Sequence, residues 1–295
     1  MYDVQSVTQA KDVADAIRIL CENEQAMLIA GGTDVLVQNR EGKFAGRPLV
    51  SIHGLDEITG VSMEADGTLV IGAATCFTDI TNHPLIQKHV PMLGLAVDEV
   101  GSPQIRNVGT VGGNLCNGVT SADSAPSLLA LHAVLKLRGK EGERLVPLCD
   151  FYVSAGKTVR LREEILCEIR IAKENYENVG GCYIKYGKRN AMEISTLGCA
   201  VTVGLDERHE KIERLSIAYG VAGPTPMRCF EAEKAAIGLS ANAKTVEATA
   251  NHALGELKPR TSWRASKEFR LHLAQEICER AMKQAIMQVG GNADV

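Results

Sequence analysis

The apolar positions fall into short blocks whose period changes along the chain. Val13, Ala14, Ile17, Leu20 and Cys21 recur at helical spacing, with Thr8 as the expected N-cap. Residues 26–30 form an apolar run of strand length, broken by Gly31-Gly32. Thr33-Asp34 can cap a second helix over 35–40, and 48–52 is the next strand. Residues 1–52 therefore read as a βαβ-like unit. Asp66-Gly67 marks a turn into a hairpin arm over 68–71. The pattern over 84–100 is mostly helical, and a Gly- and Asn-rich stretch over 101–124 interrupts it. Pro126 suits the first position of a helix running to Leu131. A strand over 134–138 and a charged turn over 139–144 follow.

A polar segment over 173–181 marks a boundary. Beyond it Leu197, Cys199, Val201, Val203 and Leu205 alternate with small or polar residues, and Ile217, Tyr219 and Val221 alternate on return. The charged turn 206–211 joins them into an antiparallel hairpin, expected to bury one face. After Pro224 and Pro226 the pattern is helical to the end. Phe269, Leu273, Ile277 and Ala281 form one stripe of a long last helix, which Gly290-Gly291-Asn292 ends before a frayed tail.

Length and composition narrow the class. A chain of 295 residues suggests two domains, and 45% hydrophobic with 23% charged residues is globular rather than disordered. The net charge of -4 gives no support for nucleic-acid binding. No apolar run reaches the roughly 18 residues of a membrane span. The start, Met1-Tyr2-Asp3-Val4-Gln5, predicts no signal peptide. Nine Cys are scattered with no Cys-x-x-Cys, the nearest pair being 15 positions apart. They read as free core thiols in a reducing cytoplasm, and they exclude a zinc ribbon or a local iron–sulfur loop.

Two segments carry candidate chemistry. Ala30-Gly31-Gly32-Thr33-Asp34 joins a strand to a helix, where bare glycines and free amides can meet a phosphate; a tight capped turn is the plain alternative. The Rossmann spacing Gly-x-Gly-x-x-Gly is absent. Gly109-Thr110-Val111-Gly112-Gly113-Asn114, continuing through Asn117-Gly118 and Ser121-Ala122-Asp123-Ser124, offers many donors and little bulk. A solvated loop of that length is uncommon. Two such turns about 80 residues apart fit one long ligand between two subdomains, with Gly112 expected to leave room for its pyrophosphate. Gly156-Lys157-Thr158 is no Walker A loop, because Phe151 stands where its first Gly should be. Lys185 and Arg189, taken alone, read as a solvated basic strand end. Alternation places Lys185 opposite Ile184 and Tyr186. No nucleophile elbow or zincin motif is present, so any redox chemistry here belongs to a cofactor and no catalytic side chain or metal ligand is assigned.

The pair Ala30–Asp34 and Thr110–Asn114 resembles the FAD-binding motifs of the molybdenum hydroxylase flavoprotein subunits, the medium subunits of the xanthine and carbon monoxide dehydrogenase family. Ser121-Ala122-Asp123, the strand from Lys185 to Arg189 and the segment from Ser262 to Arg270 extend the resemblance end to end. It implies an α+β fold: a PCMH-type FAD-binding domain over 1–176, with subdomains of about 1–54 and 55–176, then a C-terminal flavoprotein domain over 177–295. It implies FAD, bound non-covalently, against Met27, Leu28, Ile29, Ala30, Gly31, Gly32, Thr33 and Asp34 and against Gly109, Thr110, Val111, Gly112, Gly113 and Asn114. Asp123 would hydrogen-bond the cofactor, Ile165 would contact its adenine end, and Ile184 with Lys185 would lie near the flavin.

The same resemblance implies partners: a large subunit holding the molybdenum cofactor and a small subunit holding 2Fe–2S clusters, as a dimer of heterotrimers in the cytoplasm. Electrons from a purine would pass through FAD to NAD+. The alternatives are a stand-alone FAD oxidoreductase of the same fold, or the FAD subunit of a hydroxylase for another N-heterocycle, an aldehyde or CO. Two departures stand out. Asn190-Ala191-Met192-Glu193 replaces the acidic loop of animal xanthine dehydrogenases, and no Cys-rich loop for an extra 4Fe–4S cluster is present.

Overall fold

The structure is a computed structural model and describes residues 3–293. Met1 and Tyr2 of the start segment, and the last two residues of the expected frayed tail, lie outside the described residues. Three larger sheets organise the chain, beside a two-stranded pair of Tyr152–Ser154 with Lys157–Thr158. The first has three parallel strands, with Arg47–Ser51 between Val4–Gln9 and Met27–Ile29. Helix Val13–Glu22 crosses over it, burying Val13, Ala16, Ile17 and Leu20. Ala14 and Cys21 are exposed, so the buried stripe is narrower than the periodicity suggests. Asp12 caps this helix, accepting from the Asp15 amide at 2.7 Å. Thr8 does not, because it sits inside the first strand.

The second sheet is antiparallel, in the order Val61–Met63, Leu69–Gly72, Ile165–Ile171, Val134–Gly139, Gly142–Pro147. The expected helical run over 84–100 is two helices, Pro84–His89 and Pro91–Asp98, because Pro91 supplies no amide and starts a new helix. The Gly-rich stretch is not one long loop. It holds two short helices, Pro103–Arg106 and Val111–Cys116. Helix Ser124–Ala130 begins two residues before Pro126, which is therefore not its first residue.

The third sheet is antiparallel, in the order Gly180–Tyr186, Leu197–Leu205, Ile212–Gly220, Met227–Arg228. The hairpin buries both faces rather than one. Leu197, Cys199, Val201 and Val203 meet the C-terminal helices. On the other face Ala200 and Ala218 pack with Leu128 and Leu129 of helix Ser124–Ala130. Small residues there let that helix lie close, and Thr202 Oγ1 donates to the Ala130 carbonyl at 3.2 Å. The unit built on the second sheet and the C-terminal unit thus share a core.

Three helices complete the chain: Phe230–Ala236, Ala243–Leu254 and Lys267–Gln288. The stretch 255–266 between the last two is not helical. In the last helix Leu273, Ile277 and Ala281 are buried as the stripe predicts, but Phe269 is exposed and Arg270 is buried in its place. The tail is not frayed through Ala293, whose methyl is buried against the C-terminal core.

Candidate cofactor site

The first glycine-rich turn leaves an edge strand. Met27–Ile29 pairs only with Arg47–Ser51, and Met27, Leu28, Ile29 and Ala30 are apolar yet only half-buried. An apolar surface held partly open invites a covering group. Gly32 has φ 74°, a conformation a Cβ disfavours, and it turns the chain into helix Val35–Arg40. A Cβ on Gly31 would overlap the Val108 carbonyl and stand 3.0 Å from the Gly109 nitrogen. Asp34 accepts a hydrogen bond from the Asn117 side chain. The two glycine-rich turns are therefore in contact at two points. The amides of Gly31, Gly32, Thr33 and Asp34 have no hydrogen-bond acceptor among the described residues. Desolvation raises the Asp34 carboxyl, and the Asn117 hydrogen bond opposes that rise.

In the second turn each residue has its own task. Thr110 caps helix Val111–Cys116, its hydroxyl accepting from the Gly113 amide at 3.1 Å. The Val111 and Gly112 amides donate to the Thr75 and Ala73 carbonyls at 3.1 and 2.8 Å, tying the helix to the second sheet's end. A Cβ on Gly112 would lie 2.6 Å from Ala73 Cβ and 2.7 Å from its carbonyl oxygen. Gly112 therefore serves packing and does not hold open a ligand space. Gly113 is the exposed glycine, where a Cβ would meet only the Thr110 hydroxyl, at 2.9 Å. Gly109 packs under the Phe77 ring. Asn114 Oδ1 accepts from Ser124 Oγ at 2.7 Å, which leads directly to Asp123.

Asp123 and Lys185 bridge the two units. Lys185 Nζ lies 2.9 Å from Asp123 Oδ2 and also donates to the Glu99 carbonyl at 2.7 Å. Both side chains are only 7% exposed, so Lys185 is not the solvated strand end its sequence suggests. Asp123 Oδ1 accepts from Tyr183 Oη at 2.9 Å and from Ser195 Oγ. Burial pushes the Asp123 carboxyl up, and Lys185, Ser195 and Tyr183 pull it back. Sequence reasoning missed Tyr183 and Ser195. Tyr183 shares the Lys185 face at a strand spacing of two, which is a usable signal; Ser195 has none.

Two expected contacts are placed differently. Ile165 is fully buried in the core cluster against which Leu28 and Ala30 also pack, and offers no exposed side chain to a ligand. Ile184 is half-buried against the C-terminal core, opposite Lys185. Three contacts, Gly31 against Val108 and Gly109, Asn114 with Ser124 next to Asp123, and Asp123 with Lys185, join the remaining positions into one connected chain. The cavity of about 520 Å³ around Gly67, His89 and Tyr176 shares no residue with that chain. No cluster of three or more metal-ligating side chains occurs among the described residues.

This line of exposed glycine, free amides and half-covered apolar strand coincides with a known domain. The profile described as the FAD binding domain in molybdopterin dehydrogenase matches residues 2–173. The chain belongs to that family. The CO dehydrogenase flavoprotein C-terminal domain matches residues 182–285. The chain is 43% identical over 291 residues to the xanthine dehydrogenase FAD-binding subunit of Escherichia coli O157:H7, covering 99% of each chain. It is 32% identical over 244 residues to the nicotinate dehydrogenase FAD-subunit of Eubacterium barkeri, covering 82% of this chain and 78% of that one. Among solved structures, a carbon monoxide dehydrogenase chain of Hydrogenophaga pseudoflava superposes with a TM-score of 0.92 at 27% identity, covering 98% of this chain and 99% of the other. The protein is thus an oxidoreductase component, the FAD-binding subunit of a xanthine or CO dehydrogenase-like molybdenum hydroxylase, with the α+β fold of the medium chains.

Proposed function

We propose that this chain holds FAD non-covalently and passes electrons from 2Fe–2S clusters of a small partner subunit to NAD+, while a large molybdenum-binding subunit oxidises a purine. The observation that carries the reading is the contact of the two glycine-rich turns with four unclaimed amides beside them. Such amides favour an anionic group, and a pyrophosphate is the anionic centre of FAD. The apolar strand Met27–Ile29 would cover part of the cofactor, and the exposed Gly113 would leave its phosphates room. Lys185 and Asp123, fixed by Tyr183, Ser195 and the Glu99 carbonyl, would present a positioned cation near the flavin. When bound, FAD supplies the exchange between one-electron donors and a hydride acceptor. The chain's own residues bind, orient and shield; none is assigned a proton transfer. We take 1–176 as the FAD-binding unit and 177–295 as the C-terminal unit, in cytoplasmic complexes built as a dimer of heterotrimers. The higher identity to a xanthine dehydrogenase subunit than to a nicotinate dehydrogenase subunit favours the purine.

The test uses the FAD-loaded chain alone. It is expected to oxidise NADH with an artificial acceptor. Mixed anaerobically with xanthine, its flavin absorbance should stay unchanged until the partner chains are added. Bleaching by the isolated chain would overturn the division of labour.

A further inference from the structure

Three buried tyrosines find hydroxyl partners inside the protein. Tyr176 Oη donates to the Gly67 carbonyl at 2.5 Å, Tyr183 Oη to Asp123 at 2.9 Å and Tyr219 Oη to the Ala274 carbonyl at 2.9 Å. Tyr152 differs. Its hydroxyl is buried and has no hydrogen-bond partner among the described residues. Buried polar groups are nearly always paired, so an orphan of this kind calls for a partner that binds from outside the chain. Burial, and then the nearby Cys116 thiol, push the Tyr152 hydroxyl above its ordinary pKa. It therefore stays protonated and can both donate and accept.

The surroundings of Tyr152 belong to the second glycine-rich turn. Its ring meets Phe151 edge to face at 5.5 Å. Tyr152 and Cys116, the last residue of helix Val111–Cys116, both pack against the second-sheet core. Gly156-Lys157-Thr158, which is no Walker A loop, forms the turn and return strand of the hairpin that Tyr152 opens. The Gly156 amide donates to the Gly118 carbonyl at 2.9 Å. Gly118 has φ 67°, and a Cβ there would stand 3.0 Å from the Lys157 nitrogen. Between Cys116 and Gly118 stands Asn117, whose side chain donates to Asp34 in the first turn. The hairpin over 152–158 is thus a third segment at the junction of the two turns, and it carries the orphan hydroxyl.

We propose that the Tyr152 hydroxyl takes its partner from FAD and hydrogen-bonds a polar atom of the AMP half. The inference rests on the FAD reading above and deepens it. Two observations select that half. The Asp123–Lys185 pair, assigned above to the flavin, is built with Tyr183 and Ser195 of the C-terminal unit, whereas the neighbours of Tyr152 named here all come from the FAD-binding unit. The four free amides that suit the pyrophosphate end at Asp34, and Asp34 is joined through Asn117 to the segment that holds the hairpin. The AMP half carries ribose hydroxyls, ring nitrogens and an amine, each able to pair with a phenol. A buried water is the alternative partner, and it would leave FAD affinity indifferent to the hydroxyl.

The experiment compares Tyr152→Phe with the wild-type chain. A flavin-fluorescence titration of the apoproteins should give a Kd for FAD about tenfold weaker, the loss expected of one hydrogen bond. The urea midpoint of the apoprotein should not fall, because the phenol makes no bond there. At saturating FAD the flavin absorbance maxima should match wild type, since the contact lies away from the isoalloxazine. Tyr176→Phe is the control with the opposite pattern: it removes the bond to the Gly67 carbonyl, so the midpoint should fall and the Kd should hold. FAD affinity within about twofold of wild type in Tyr152→Phe overturns the proposal and assigns the hydroxyl to a buried water. Shifted flavin maxima overturn the placement on the AMP half. A lowered apoprotein midpoint reveals a partner within the protein and also overturns it. A wild-type chain that takes up no FAD overturns the FAD reading itself, an outcome distinct from every variant result.

Discussion

Two adjacent glycines are expected to fail in opposite ways when a methyl is added. At Gly112 the new Cβ would stand 2.6 Å from Ala73 Cβ and 2.7 Å from the Ala73 carbonyl, which also accepts the Gly112 amide at 2.8 Å. Backbone cannot rotate out of the way, so the helix must shift and weaken that hydrogen bond. Overpacking of this kind costs about 1–3 kcal/mol and the bond about 1 kcal/mol. The gain in helix propensity from Gly to Ala returns about 1 kcal/mol. Gly112→Ala should therefore destabilise the apoprotein by about 1–3 kcal/mol. At Gly113 the methyl would meet only the Thr110 hydroxyl at 2.9 Å. Loss of that cap costs about 1 kcal/mol, close to the propensity gain, so apoprotein stability should hold within about 1 kcal/mol. The methyl would instead occupy the exposed side of the turn and weaken FAD by about 2 kcal/mol or more, some thirtyfold in Kd. Denaturant unfolding of the two apoproteins and a flavin-fluorescence titration separate the effects. Wild-type FAD affinity in Gly113→Ala, or wild-type apoprotein stability in Gly112→Ala, would refute the assignment of roles.

Lys185→Met leaves Asp123 buried with only hydroxyl donors; it should cost about 3 kcal/mol in urea unfolding, and adding Asp123→Asn should recover most of it. An unrecovered double variant would contradict the pairing. His132 accepts from Arg228 at Nδ1, 3.1 Å away, so its Nε2 carries the proton facing Ser216 Oγ at 2.9 Å. Burial, then Arg228, pushes its pKa from 6.5 down to about 4. The unfolded chain binds the extra proton first, so this contribution to stability is whole above about pH 6.5 and is lost as pH falls towards 4. The Tm of His132→Gln should fall less steeply over that window, and parallel slopes would count against the contact. Arg270→Lys keeps one of the three oxygens now bound by the guanidinium, and should lose about 2 kcal/mol in the same unfolding assay. A loss below about 0.5 kcal/mol would show that the clamp on 260–262 is idle.

The elements with a clean period were legible from the residues. The first helix, the edge strand at 27–29 and the third-sheet hairpin all lie where the pattern puts them. Their surroundings were not, because burial is decided by what packs on top. The hairpin's second face carries Ala200 and Thr202, which look solvent-tolerant until helix Ser124–Ala130 covers them. The candidate turns were legible as glycine and short polar residues, but their division of labour was not. Gly112 and Gly113 are identical in sequence; only the position of Ala73 separates a packing glycine from an exposed one. Lys185 looked solvated because its partner Asp123 is 62 positions away and on another unit. Arg270 replaces Phe269 on the buried side of the last helix because three oxygens from other segments converge on it, which no period records.

The central claim is a non-covalent FAD at the paired glycine turns, and acid precipitation of the flavin-loaded protein tests it most directly. The supernatant should contain intact FAD at about one per chain, and the pellet should be colourless. Flavin retained in the precipitated chain, or a protein that takes up no FAD when it is supplied, would contradict the account.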